Sequence, residues 1–232
     1  MRKRKGRLIL GCSLLFLTLA CAKIQNKEDR SFHPQSYSGS LGFQFAGTPI
    51  SYSSADREVP VYPEALVSAY GEQFKLELTG YGTRSIQILM FEIPVFVAAS
   101  YVAIAVKLSP SDPLQGLEES PADILQLTLL REVAISQMSD GLKEALRKND
   151  VDPEEDLVRP FFRLLNSDLR AGDSIVILSY TNAQGDDEVL VDSSSGPKSA
   201  FGKLLGLTLW KVWFGIPVDD KAQSLKTALI GK

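Results

Sequence analysis

Apolar and polar positions change rhythm several times along the chain, and each rhythm predicts an element. Leu8 to Ala20 is almost wholly apolar and follows Arg2, Lys3, Arg4, Lys5 and Arg7. That run is short of the roughly 20 apolar residues a spanning helix needs. A basic start, a short apolar run and a small residue before a break describe a secretory signal over residues 1–20, with an N-terminal membrane anchor as the weaker alternative on length. Residues 21–41 are polar, among them Lys23, Gln25, Asn26, Lys27, Glu28 and Asp29, and read as a tether. The folded domain is expected over residues 42–232.

Within it, Phe43, Phe45 and Tyr52 suggest a short strand or covering arm, and residues 59–70, with Pro60 and Pro63, read as irregular. Phe74, Leu76 and Leu78 alternate with Lys75 and Glu77, the period of a half-buried strand. Gly80-Tyr81-Gly82-Thr83 predicts a turn, and Ile86 and Ile88 resume the alternation. Val95 to Val106 is continuous, apolar and rich in β-branched residues, as in a strand buried on both faces. Ser120-Pro121-Ala122-Asp123 predicts the start of a short helical turn, and Leu125, Leu127 and Leu129 another strand.

Ile135, Met138, Leu142, Ala145 and Leu146 recur at helical spacing, and Asp152-Pro153-Glu154-Glu155 predicts a second helix carrying Leu157, Val158, Phe161, Phe162 and Leu165. Ser174–Tyr180 and Glu188–Asp192 predict a hairpin across Asn182–Asp187. Phe201 to Trp213 and Leu225 to Leu229 predict two closing helices. Strands in a meander, then helices, a hairpin and more helices, give an α+β fold with an antiparallel sheet rather than alternating βαβ units.

Composition sharpens this picture in two places. The chain has 25 basic and 28 acidic residues, a net charge of −3. Removing the five basic residues of the signal leaves 20 against 28, or −8 for the remainder. An acidic domain disfavours nucleic acid and gives no charge attraction to anionic lipid, so the hold on a membrane is expected from Cys21 alone. Only Cys12 and Cys21 are present, and Cys12 lies in the apolar run. Thiol catalysis and cysteine-based zinc sites are thereby excluded. His33, the only histidine, falls in the tether, so triads and multi-imidazole metal sites are excluded as well. No metal and no cofactor are expected.

The break Thr18-Leu19-Ala20-Cys21 resembles the lipobox of bacterial lipoproteins, with Thr18 where leucine is usual. The resemblance implies a lipid on Cys21, cleavage without lipidation being the alternative. Ala22 is similar to lipoproteins not retained at the inner membrane, which implies an exported envelope protein on the periplasmic side of the outer membrane.

Three ordered segments resemble the chalcone isomerase-like family. They are Leu78-Thr79-Gly80-Tyr81-Gly82-Thr83-Arg84 with the strand through Val97-Ala98-Ala99-Ser100-Tyr101, then Leu127 to Val133 with a helix after it, then Gly172-Asp173-Ser174-Ile175 through the closing Trp210–Gly215 and Leu225–Leu229. The implied fold is an open-faced β-sandwich, a large antiparallel sheet covered on one side by helices with a cleft between. Members include enzymes that cyclise chalcones, fatty-acid binders, non-catalytic partners and some reported to bind haem. Arg84 matches the family's cleft-floor arginine, which steadies a phenolate or enolate in the enzymes or a carboxylate in the binders. Tyr101 is a second expected ligand contact.

The enzyme's other polar groups are not matched. Phe96 stands where the strand threonine is expected, Ser136 to Asp140 lack the tyrosine, lysine and asparagine of the enzyme helix, and Val218-Asp219-Asp220 replaces a Ser/Thr. Without groups that orient substrate, the differential binding of a transition state is lost. The expectation is a non-catalytic domain binding a small hydrophobic or amphiphilic ligand such as a fatty acid. An isomerase acting on a phenolic or enone substrate, and a haem- or partner-binding module, are the alternatives. Trp210 and Trp213 are expected in the core, and the pairs Asp186-Asp187 and Asp219-Asp220 as caps.

Overall fold

The computed structural model describes residues 41–55 and 57–231, all within the unit Pro34–Lys232. The signal, the tether, Cys21 and His33 lie outside the described residues. Ten strands and five helices follow in order: β1 Leu41–Ala46, β2 Ile50–Ser54, β3 Arg57–Val61, β4 Glu64–Ala69, β5 Glu72–Ile88, β6 Phe91–Ala103, α1 Pro113–Glu119, β7 Ala122–Leu129, α2 Ile135–Lys148, α3 Arg159–Phe162, β8 Ser174–Thr181, β9 Asp186–Asp192, β10 Lys198–Lys203, α4 Leu205–Phe214 and α5 Asp220–Ile230. Eight strands form one antiparallel sheet in the order β1-β4-β5-β6-β7-β8-β9-β10, and β2 pairs with β3 alone.

Strand parity sorts the central strands onto two faces. Ala98, Val102, Leu125, Leu127, Leu129, Ile175, Ile177, Val189 and Val191 meet Leu142, Leu146, Leu209, Trp210, Phe214, Leu225 and Leu229 of the helices in one core. Ala99, Tyr101, Ile124, Val176, Leu178 and Leu190 build a second core on the opposite face with residues of β1, β3 and β4. The β2–β3 hairpin leans on that second face. The Tyr52 ring meets Tyr81 at 5.1 Å between centroids, and Tyr52 Oη and Ser54 Oγ reach Thr83 Oγ1 at 3.2 and 2.9 Å.

Several local expectations are corrected. The predicted turn at Gly80–Thr83 is the middle of the 17-residue β5, and the chain reverses instead at Leu89-Met90. The two glycines answer to close packing of α5 rather than to a turn. A Cβ on Gly80 would lie 2.0 Å from the Ala228 carbonyl oxygen, and one on Gly82 would lie 2.7 Å from Ala228 Cβ. A register shift between Leu78 and Gly80 accompanies this approach.

Residues 59–70 are not irregular but supply the end of β3 and all of β4; Pro60 falls in the two-stranded sheet, where a missing amide is tolerated. The helix placed after Ser120 lies before it, as α1, capped by Asp112 with Pro113 at its start, and Ala122-Asp123 already belong to β7. The helix expected from Asp152 shrinks to the four residues of α3. Phe201 belongs to β10, which the sequence pattern did not suggest, and α4 begins at Leu205.

Candidate functional site

A cleft of about 670 Å³ opens between the β5–β6–β7 part of the sheet and helices α2, α4 and α5. Its floor begins with Arg84 and Phe96, direct partners across the β5–β6 ladder and therefore on one face. Leu127 continues the floor on β7, while Met138, Leu142 and Ala145 of α2, Trp213 of α4, and Ala222 and Leu225 of α5 form the walls. The register on both sides of Arg84 explains its placement. Gly80 and Gly82 admit α5 onto the strand, and Arg84, two positions on, emerges where the first turn of that helix begins.

Arg84 is well covered, its side chain 16% exposed. One guanidinium nitrogen donates to the Ser85 carbonyl at 2.5 Å, and the other donates to Asp219 Oδ2 at 2.7 Å. Asp219 is also the N-cap of α5, its Oδ1 accepting the Ala222 amide at 2.7 Å. The carboxylate therefore holds a helix start with one oxygen and a partly buried cation with the other. Partial burial works to raise the Asp219 pKa, but the bonds from Arg84 and Ala222 and the Arg84 charge outweigh it and hold the carboxyl below its ordinary value.

The remaining charges in the cleft lining are Arg131, Glu132 and Glu144, so acids outnumber bases there by three to two. Among the described residues, no serine, threonine, tyrosine, histidine, lysine or cysteine lines the cleft. What is left is mostly aliphatic surface with one covered guanidinium, and such a site can bind an apolar body and orient a polar head.

Arg84 thus sits in the cleft as the sequence led one to expect, and Phe96 beside it. Tyr101 does not. The β6–β7 register runs unbroken from Phe96 to Val102, so Tyr101, five positions beyond Phe96, faces the other side of the sheet. It is fully buried there against Phe45, with ring centroids 5.3 Å apart. Burial pushes its hydroxyl pKa far up, against the opposing effect of the Tyr62 backbone.

Trp210 is core, whereas Trp213 is both core and cleft wall, a double role that helical spacing alone did not reveal. Asp219 was legible as a cap but not as the partner of Arg84, 135 positions away. Asp187 was expected to cap within its turn. It is instead buried on β9 and accepts the Gly206 amide at 2.8 Å and the Thr181 hydroxyl at 2.8 Å, so it caps the distant α4. Among the described residues, no group of three or more His, Cys, Asp or Glu side chains is placed to hold a metal ion.

Comparison with solved structures finds the same fold in a fatty-acid binding protein of Arabidopsis thaliana, with a TM-score of 0.51 and 13% identity over 69% of this chain and 92% of that one. No curated protein sequence matches the chain. The chalcone isomerase-like family matches residues 64–231, a span holding β4 to β10, helices α1 to α5 and the described lining of the cleft. The large antiparallel sheet, the helical layer on one face and the arginine-floored cleft between them agree with that match: the chain belongs to the chalcone isomerase-like family.

Proposed function

We propose that this domain is a non-catalytic binder of a small amphiphile, a fatty acid being the class that fits best. One observation carries the reading: the cleft offers about 670 Å³ of largely aliphatic space around Arg84, and among the described residues its lining holds no hydroxyl-bearing or lysine side chain. An alkyl chain gains from leaving water along Phe96, Leu127, Met138, Leu142 and Trp213. A carboxylate head can share or take the guanidinium now held by Asp219. A fold shared with a fatty-acid binding protein is in keeping with this reading. An isomerase would need groups to orient its substrate and hold an enolate or phenolate, and beside Arg84 and Asp219 the described lining supplies Arg131, Glu132, Gln137 and Glu144 but none of the hydroxyl or lysine groups expected of the enzyme.

The second part of the proposal concerns location. We read residues 1–20 as a signal and Cys21 as a lipidated residue, which would hold the domain on the periplasmic side of the outer membrane. Mass spectrometry of the N-terminal peptide from membrane-purified protein should find Cys21 first in the chain and carrying acyl groups. An unmodified Met1 terminus would remove that part.

Native mass spectrometry of the full chain tests the binding itself. A ligand of fatty-acid mass should be retained after purification from its own membrane, or taken up one per chain on titration with a long-chain fatty acid. A chain that is empty at isolation and stays empty on titration overturns the reading. A chalcone panel should give flat absorbance traces, and turnover lost in Arg84→Ala would restore the enzyme.

A further inference from the structure

The hairpin that joins β5 to β6 ends in an apolar tip. Ile88, Leu89, Met90 and Phe91 are consecutive, and they are 50%, 87%, 83% and 66% exposed. Folded soluble surfaces carry scattered apolar residues, but four large ones in a row at the most exposed point of a hairpin are a patch with a use. The turn chemistry points the same way. Leu89 takes a φ of +55°, a conformation that a hairpin turn ordinarily gives to glycine, asparagine or aspartate. A bulky leucine there is strained, and backbone strain of this sort collects at functional positions. The tip keeps large apolar side chains where backbone stability alone would select small or polar ones.

The patch is continuous with the ligand cleft. Ile86 and Ile88 line the cleft, yet remain 39% and 50% exposed as the strand runs out to the tip. Charge leaves the tip neutral: residues 88–91 carry none, and the nearest acid, Glu92, is ion-paired with Lys221 of α5. We propose that this tip inserts into a lipid bilayer and forms the port by which the cleft takes up and releases its amphiphile. The port rests on the amphiphile reading above; the insertion does not.

A bilayer is favoured over a protein partner by shape and size. A stable protein interface buries about 800 Å² on each side and draws on some 20 to 30 residues, whereas a two-residue turn with its flanks presents a narrow wedge suited to sinking among acyl chains. The tip's neutrality fits the hydrocarbon and needs no anionic headgroup. Among the described residues, no helix is long and apolar enough to cross a membrane, so contact from this domain would be by shallow insertion. Reach is compatible as well. The described chain begins at Leu41, paired through Ala69 to the Glu72 end of β5, opposite the tip. The 17 residues of β5 span about 56 Å, and the 20 residues from Cys21 to Ser40 reach at most about 66 Å, so an anchor at Cys21 and an inserted tip can share one membrane.

The test uses the full chain, purified from membranes and reconstituted in phosphatidylcholine vesicles with plain or brominated acyl chains. Met90→Trp places a reporter on the tip, and Gln184→Trp places one on the β8–β9 turn at the other end of the sheet; native Trp210 and Trp213 give the background to subtract. Brominated lipid should remove most of the tip reporter's emission and leave the Gln184→Trp reporter unchanged. Equal emission in both vesicle types overturns the insertion, and so does equal quenching of both reporters.

The double variant Leu89→Asp/Met90→Asp should slow transfer of a fluorescent fatty acid from vesicles to protein about tenfold while leaving its affinity without vesicles unchanged. Undiminished transfer overturns the port. A dimer that this variant dissociates assigns the tip to a second copy and overturns it too. Wild-type protein that takes up no fatty acid without vesicles defeats the amphiphile reading instead, and the bromine quenching still decides insertion by itself.

Discussion

Arg84 and Asp219 are the residues on which the cleft's chemistry turns. The guanidinium cannot lose its charge, and in this structure the protein's own carboxylate supplies its anion. An acidic ligand therefore competes with Asp219, and the two substitutions should move affinity in opposite directions. Arg84→Ala removes a charged hydrogen-bond donor worth roughly 1.5–3 kcal/mol and should weaken fatty-acid binding about 10- to 100-fold in a fluorescence titration.

Asp219→Asn keeps a good N-cap on α5 but withdraws the competing charge, so it should tighten binding with little change in thermal midpoint. An unaltered affinity in Asp219→Asn would show that the head group does not meet Arg84. Protonation acts as that substitution does. The Asp219 carboxyl is held below its ordinary value, so its ion pair adds stability above the unfolded-state pKa, and that stability is lost as pH falls through the lowered value. Binding of an anion that stays ionised there should strengthen over the same acid range, and a flat affinity profile would count against competition at Arg84.

At the scale of the element, β5 shows how the sequence was legible and where it failed. Alternation in Phe74, Leu76 and Leu78 identified the strand, but the Gly-x-Gly at positions 80–82 carries the same local signal as a turn. Only the presence of α5, whose carbonyl would collide with a side chain at Gly80, explains those glycines, and that contact spans about 150 positions. Gly80→Ala should cost roughly 1–3 kcal/mol in a denaturant titration, as overpacking against backbone does, and should reduce ligand affinity by lifting the helix from the cleft. A neutral Gly80→Ala would mean that α5 does not seat as described.

Strands hidden from the pattern, β4 and β10, have short or broken alternation; β4 is completed by pairing with β1 and β5, and β10 is an edge strand held by β9. Arg84 was found through its sequence neighbours, whereas Asp219 and Trp213 join the site only through tertiary packing. Tyr101 was misplaced because a continuous apolar run hides which face each residue takes.

Across the whole molecule, the helical core also contains a polar cluster outside the cleft lining. Asp123 of β7 is buried under α4, with Ser120, Trp210 and Asp187 as its polar neighbours. Burial drives its pKa well above the ordinary value; Ser120 and Trp210 oppose this, and the charge of Asp187 adds to it. The folded state then holds a proton that the unfolded chain releases, so stability falls as pH rises from the unfolded carboxylate range, about 3.9, up to the raised folded value. Asp123→Asn should flatten that decline in melts taken across pH, and parallel curves for the two proteins would refute it.

The domain's central property remains the cleft, and one measurement addresses it without intermediaries: a crystal structure of the chain grown with a long-chain fatty acid. The account predicts a carboxylate within hydrogen-bonding distance of Arg84 and an alkyl chain running along Phe96, Met138, Leu142 and Trp213. An empty cleft at saturating ligand, or a fatty acid seated elsewhere on the domain, would contradict it.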